Sequence, residues 1–135
     1  MTRSSFRDLR VWKDAIALTT SVYKFTANFP RHELYGLSQQ IRRAAVSVPS
    51  NIAEGKGRYS DRDFVRFLLV ARGSLLELET QLIIAQELGY LSHTDAGCLL
   101  GMAENVGRAL SGLIIEPASC LSRFGQRPRT NDNVT

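Results

Sequence analysis

The sequence predicts an all-α chain folded as an up-down-up-down antiparallel four-helix bundle. Two observations carry that expectation. Apolar residues recur three and four apart in four successive segments, and Pro, Gly or Ser-x-x-Asp signals separate the segments. At 135 residues, with 44% hydrophobic and 22% charged residues, the chain is long enough for one core and short for two. The bundle is expected over residues 1–118, followed by a flexible tail, residues 119–135, that loses periodicity and ends in RPRTNDNVT.

From Asp8 to Asn28 the first helix places Val11, Ala15, Leu18, Val22, Phe25 and Phe29 on one face, widened by Trp12, Ile16 and Tyr23. Pro30 stops it, because its ring fixes φ and disfavours helical geometry at the preceding residue. The second helix is expected from Leu37 to Lys56, with Leu37, Ile41, Ala44, Ala45, Val48 and Ile52 inward and Gly55 and Gly57 at its end. Pro49 deletes one backbone hydrogen bond inside it, so a kink is expected there. Ser60 with Asp63 opens the third helix, whose stripe is Phe64, Leu68, Ala71, Leu75, Leu78, Leu82 and Ala85. Leu88, Gly89 and Tyr90 end it. Ser92 with Asp95 opens the fourth, which carries Leu99, Ala103, Val106, Leu110 and Leu113 inward and stops before Pro117. Its four glycines, Gly97, Gly101, Gly107 and Gly112, imply either close packing or a weaker helix.

The third helix has a second stripe. Leu69, Leu76, Ile83 and Tyr90 repeat at seven-residue spacing on another face, and one small core cannot use both. That face is expected to be an oligomer interface.

Net charge is +4, with a pI near 9.4. Residues 1–67 hold twelve Lys/Arg against six Asp/Glu, while residues 68–135 hold five against seven. The basic character therefore belongs to the first half, which suits an anionic partner. No run approaches about 18 uncharged apolar residues, so no membrane association is expected. The charged MTRSSFRDLRVW start is unlike a signal peptide, and together with two cysteines, Cys98 and Cys120, it points to the cytoplasm. His32 and His93 lack a Glu-x-x-His or a paired cysteine, so neither a metal nor a cofactor is expected. GKGRYS lacks phosphate-loop spacing, and no catalytic pairing rises from the pattern. The chain reads as a non-enzyme.

Two groups of residues remain as candidates. Arg42 and Arg43 are adjacent and point about 100° apart, so at least one of them borders an interface. Gln39, Arg43, Ser47, Ser50 and Glu54 form a polar stripe opposite Ile41, Val48 and Ile52. This stripe is a solvated face, an intersubunit network joining Asn51, Glu54 and an arginine, or a ligand surface. Lys56, Arg58, Arg62 and Arg66 surround Tyr59 at the second turn, where cations could hold a phosphate backbone while the ring offers a stacking surface.

The order LRVWKDA, VYKFTANFP, ELYGLSQQIRRAAVSVPSNIAEG, FLLVARGSLLELETQL and ELGYL resembles a bacterial family over about residues 6 to 115. It is similar to the four-helix-bundle proteins encoded by intervening sequences in 23S ribosomal RNA genes, sometimes labelled S23-like. The resemblance implies a homopentameric ring with a central channel and a positive surface. It also implies relatives that serve as accessory proteins to reverse transcriptases of diversity-generating retroelements, so the expected partners are a second copy, RNA or other nucleic acid, or a protein. Arg42, Arg43, Asn51 and Glu54 match the family's characteristic motif.

Overall fold

A computed structural model describes residues 5–115. Its helices are α1 (Arg10–Thr26), α2 (Leu37–Lys56), α3 (Asp61–Glu87) and α4 (His93–Ile115), and no strand occurs among the described residues. Each helix packs on the next and α1 closes against α4, the neighbour pattern of a four-helix bundle. The expected tail lies outside the described residues, as do Cys120 and the stop at Pro117.

A short 3₁₀ turn at Phe6–Asp8 precedes α1 and was not anticipated. Its signal is the same Ser-x-x-Asp: the Ser5 hydroxyl accepts from the Arg7 amide at 3.1 Å, and Asp8 accepts from the Ser5 amide at 3.2 Å. Ser60 and Ser92 use the same device at α3 and α4, taking the Asp63 and Asp95 amides at 3.1 and 3.0 Å. The end of α3 is fixed by Gly89, whose φ of 81° only a glycine adopts without strain. The Gly89 and Tyr90 amides then reach back to the Gln86 and Ala85 carbonyls, both at 2.9 Å, satisfying groups that the last turn would otherwise orphan.

The core holds Leu18, Ile41, Ile52, Leu68, Leu75, Leu78, Leu82, Leu99 and Leu110, all fully buried, each contributing about 1.5–3 kcal/mol by leaving water. Two residues counted into the α1 face lie outside it: Ile16 and Tyr23 are exposed. Packed on α2 and α4, the first helix buries Val11, Ala15, Leu18, Thr19, Val22 and Thr26.

α2 runs unbroken through Pro49. Pro49 has no amide to give the Ala45 carbonyl four residues earlier, and α1 supplies the substitute: the buried Thr19 hydroxyl lies 3.1 Å from the Ala45 oxygen. The N-terminus of α2 is capped from the preceding connection. Glu33 Oε1 accepts from the Leu37 amide at 3.0 Å, and a Cβ at Gly36 would lie 2.7 Å from that oxygen, so a side chain there would push the capping carboxylate aside.

The glycines of α4 divide. A Cβ at Gly107 would press on the Leu75 side chain at 3.3 Å, whereas one at Gly97, Gly101 or Gly112 would meet nothing within 4 Å. Close packing explains the first and not the other three. α4 is also long and apolar enough to cross a membrane by length and composition. Glu104 and Arg108 interrupt it, so no uncharged run marks it in the sequence. Ala96, Leu99, Ala103, Val106 and Leu110 face the bundle core.

Candidate nucleic-acid interface

A close approach between α2 and α3 at Gly55 precedes the basic turn. A Cβ at Gly55 would fall 2.7 Å from Phe67 Cβ and 3.1 Å from Phe64 Cδ1, so glycine lets the two backbones converge where the chain reverses. Phe64 and Phe67, half-buried at the start of α3, then organise the cations. Lys56 lies 5.9 Å from the Phe64 ring centre, while Arg58 and Arg66 lie 4.8 and 5.1 Å from that of Phe67. Tyr59 projects from the turn at 95% exposure. The Phe67 role was not legible in the sequence, because the residue belongs to neither apolar stripe of α3.

Carboxylates temper this charge. Arg58 pairs with Glu54 at 3.0 Å and Arg66 with Asp63 at 3.5 Å, both exposed contacts worth under about 1 kcal/mol. Among the described residues Lys56 and Arg62 are in no ion pair. The turn thus offers two cations outright and two in weak surface pairs that a phosphate could displace.

The motif residues separate by partner. Arg42 is half-buried and turns to α1: its Nε donates to Thr26 Oγ1 at 2.8 Å and a terminal nitrogen to the Tyr23 carbonyl at 3.3 Å, with the guanidinium 4.7 Å from the Tyr23 ring centre. A cation on the last carbonyls of α1 also complements the helix dipole. Arg43 is exposed, as expected for the second of two adjacent arginines. Asn51 donates to the Ser47 carbonyl at 2.8 Å and the Ser47 hydroxyl at 3.0 Å. Within the chain, then, Asn51 and Glu54 are held by Ser47 and Arg58 and not by one another. Ser47 leaves the outer stripe altogether, its hydroxyl lying 2.7 Å from that of Ser74 on α3.

Between these helices lies a cleft of about 500 Å³ lined by Gln40, Arg43, Ala44, Ser47, Ser74 and Glu77. Gln81 stands behind Glu77, buried, a polar core residue hidden in the sequence by the apolar positions on either side.

Leu69, Leu76 and Ile83 are exposed on α3, together with Val70 and Ile84. Tyr90 does not continue that row, because α3 has ended and the chain has turned at Gly89. It is half-buried, packs on Phe29 with ring centres 5.4 Å apart, and donates its hydroxyl to Glu33 Oε2 at 2.9 Å. The Leu37 amide, then the Tyr90 hydroxyl, hold the Glu33 carboxyl below the ordinary carboxylate range, with a smaller push from His32 against partial desolvation. Reciprocally, donation to Glu33 pushes the Tyr90 hydroxyl up. On the α3–α4 side, desolvation and then the Glu104 charge push the Glu79 carboxyl up. Among the described residues no three His, Cys, Asp or Glu side chains converge, and Cys98 is a free, exposed thiol.

A family model described as 23S rRNA-intervening sequence protein matches residues 7–112. The chain belongs to that family. A solved structure, that of a protein with unknown function from the S23 ribosomal protein family of Bacteroides thetaiotaomicron, superposes on this intervening-sequence protein with a TM-score of 0.71. It is 22% identical, and the match covers 78% of this chain and 99% of that one, which establishes a shared fold. No curated protein matches the chain. The family match takes in α1 to α3 and α4 as far as Gly112, with the basic turn, the α2–α3 cleft and the exposed α3 row inside it.

Proposed function

We propose that this intervening-sequence protein is a non-catalytic, cytoplasmic RNA-binding bundle. It acts as a homopentameric ring, without a cofactor and away from membranes. The observation that carries the reading is the set of Lys56, Arg58 and Arg66 held over the Phe64 and Phe67 rings at the turn that also bears Arg62 and the exposed Tyr59, since cations grip phosphates while an exposed ring stacks on bases. The exposed Leu69, Leu76 and Ile83 support assembly, with Arg43, Ser50 and Glu54 facing a neighbour or a channel. A bend of α2 at Pro49 belongs to the same picture.

Titration with structured ribosomal RNA tests it. If each of the four cations meets one phosphate, the logarithm of affinity falls against the logarithm of salt with a slope of about −3. Raising salt from about 50 to 200 mM then weakens binding about sixtyfold. Charge reversal at Arg58 and Arg62 should flatten that slope. Absence of binding at about 50 mM salt, or binding indifferent to both reversals, refutes the reading.

The second reading is a protein-interaction module that docks a partner such as a reverse transcriptase, favoured by the same exposed apolar row. Its signature is capture that survives high salt and is lost on Leu76→Glu.

A further inference from the structure

The α2–α3 cleft has a chemistry that a merely solvated seam does not need. Its floor is tied down: Asn51 Nδ2 donates to Ser47 Oγ at 3.0 Å, and a hydroxyl–hydroxyl hydrogen bond of 2.7 Å joins Ser47 Oγ and Ser74 Oγ. Ala44 adds a small, flat contact, and Gln40 an amide. Arg43 lines the cleft from α2 and Glu77 from α3, yet the two form no ion pair with each other. Glu77 is instead oriented from behind, by Gln81 Nε2 at 3.3 Å from Glu77 Oε2. Gln81 is only 6% exposed, and its Oε1 is buried with no hydrogen-bond partner among the described residues. A buried amide that gives its donor to a carboxylate and leaves its acceptor open holds that carboxylate from one side only.

The cleft therefore presents a donor-only guanidinium on one wall and an acceptor-only carboxylate on the other. A group that satisfies both must carry acceptors on one edge and N–H donors on the adjoining edge. Guanine does so: O6 and N7 accept from a guanidinium, and N1–H with the N2 amino group gives a carboxylate two parallel donors. Adenine offers one donor group flanked by acceptors, and the pyrimidines offer a single donor group, so neither matches a carboxylate with two bonds. From Arg43 to Lys56, the last residue of α2, the helix runs thirteen residues, about 20 Å. That is about six stacked nucleotides of one strand.

Resting on the nucleic-acid reading above, we propose that this cleft takes one unstacked guanine base of single-stranded RNA. Arg43 meets its O6/N7 edge, Glu77 meets its N1–H/N2 edge, and the basic turn holds phosphates about six nucleotides along the same strand.

The test is a ratio. Fluorescence anisotropy compares a short unstructured oligoadenylate with the same strand carrying a single central guanosine, at about 50 mM salt. One guanine avoids tetrad formation. The full chain is expected to prefer the guanosine strand about tenfold, the discrimination of one bidentate base contact. The ratio should fall to about one in Glu77→Gln and in Arg43→Gln, and to an intermediate value when inosine, lacking the N2 amino group, replaces guanosine. Arg62→Glu should lower both affinities and leave the ratio alone. Circular dichroism of each variant checks the fold, which these exposed positions should not disturb.

Equal affinities in the unaltered protein overturn the guanine site while leaving phosphate binding by the turn intact. A preference that persists in both Glu77→Gln and Arg43→Gln overturns it as well. If neither strand nor structured RNA binds, the nucleic-acid reading itself fails and the guanine site with it.

Discussion

Thr19 is the residue that makes Pro49 tolerable in the middle of α2, and a double-mutant cycle can measure this. The Thr19 hydroxyl has one proton between two carbonyls, Ala15 at 2.8 Å and Ala45 at 3.1 Å. The Ala15 oxygen already accepts the Thr19 amide in the α1 ladder, so losing the hydroxyl falls on Ala45, whose regular donor Pro49 lacks. A buried carbonyl left unmet costs about 1–3 kcal/mol, and sharing of the proton places Thr19→Val near the low end, about 1 kcal/mol. In a Pro49→Ala background the new amide serves the Ala45 carbonyl, and Thr19→Val should then cost nothing. The expected coupling is about 1 kcal/mol, well above the scatter of such cycles. Urea unfolding followed by circular dichroism at one fixed protein concentration provides the four stabilities, the fixed concentration removing any assembly effect. If Thr19→Val costs the same with Pro49 present as in the Pro49→Ala background, the hydroxyl is not compensating for the proline and the argument is wrong.

Other substitutions should behave as follows. Gly55→Ala forces a Cβ to 2.7 Å from Phe67 and should destabilise by about 1–3 kcal/mol, whereas Gly101→Ala enters open space and should stabilise by up to about 1 kcal/mol; a destabilising Gly101→Ala in thermal melts would mean that another surface covers α4. Glu33 has a depressed folded pKa, so its contribution is present above the ordinary value of 4.5 and is lost as pH falls through the lower folded value. Glu33→Gln should flatten acid unfolding in that window, and an unchanged pH profile would contradict the Leu37 and Tyr90 contacts. Glu79 has a raised folded pKa, so its ionisation opposes folding as pH rises above 4.5. Glu79→Gln should raise the melting temperature at neutral pH and leave it unchanged in acid, and an equal shift at both would show that charge is not the cause.

Period and punctuation made the four helices legible, and α2 falls on Leu37–Lys56 as its stripe and glycines imply. The adjacency of Arg42 and Arg43 likewise implied that one would border an interface, and Arg42 does so within the chain, against α1. Angular position on one helix was therefore readable. What could not be read is which neighbour each angle meets. Ser47 belongs to the polar stripe by spacing but touches Ser74, 27 positions away, and Thr19 looks like any polar residue on α1 until Ala45 is placed beside it, 26 positions on. Tyr90 failed for a different reason. Its seven-residue spacing from Ile83 assumes helix, and Gly89 at positive φ breaks the phase one residue before it. Gln81 sits at a core angle beside Leu78 and Leu82, where periodicity signals burial without saying whether the buried group is satisfied.

The two surfaces proposed for assembly and for binding share α3, and their order along it decides whether they compete. Arg62 and Arg66 lie in its first two turns, while the exposed row begins at Leu69 and extends to Ile83, about 21 Å further along the axis. A neighbour seated on that row would cover the middle of α3 and leave its N-terminal turns, with Lys56 and Arg58 from the end of α2, projecting beyond the contact. Burying the row therefore need not bury the cations. In a closed ring each copy would present its turn at the same height, so a patch tempered in one chain by Glu54 and Asp63 would be repeated around one rim. A strand crossing several such turns gains by effective concentration what no single turn provides. Binding should consequently weaken with Leu76→Glu even though Leu76 lies outside the basic turn, provided the substitution breaks the ring. A Leu76→Glu protein that stays assembled yet loses RNA would contradict this division of labour on α3.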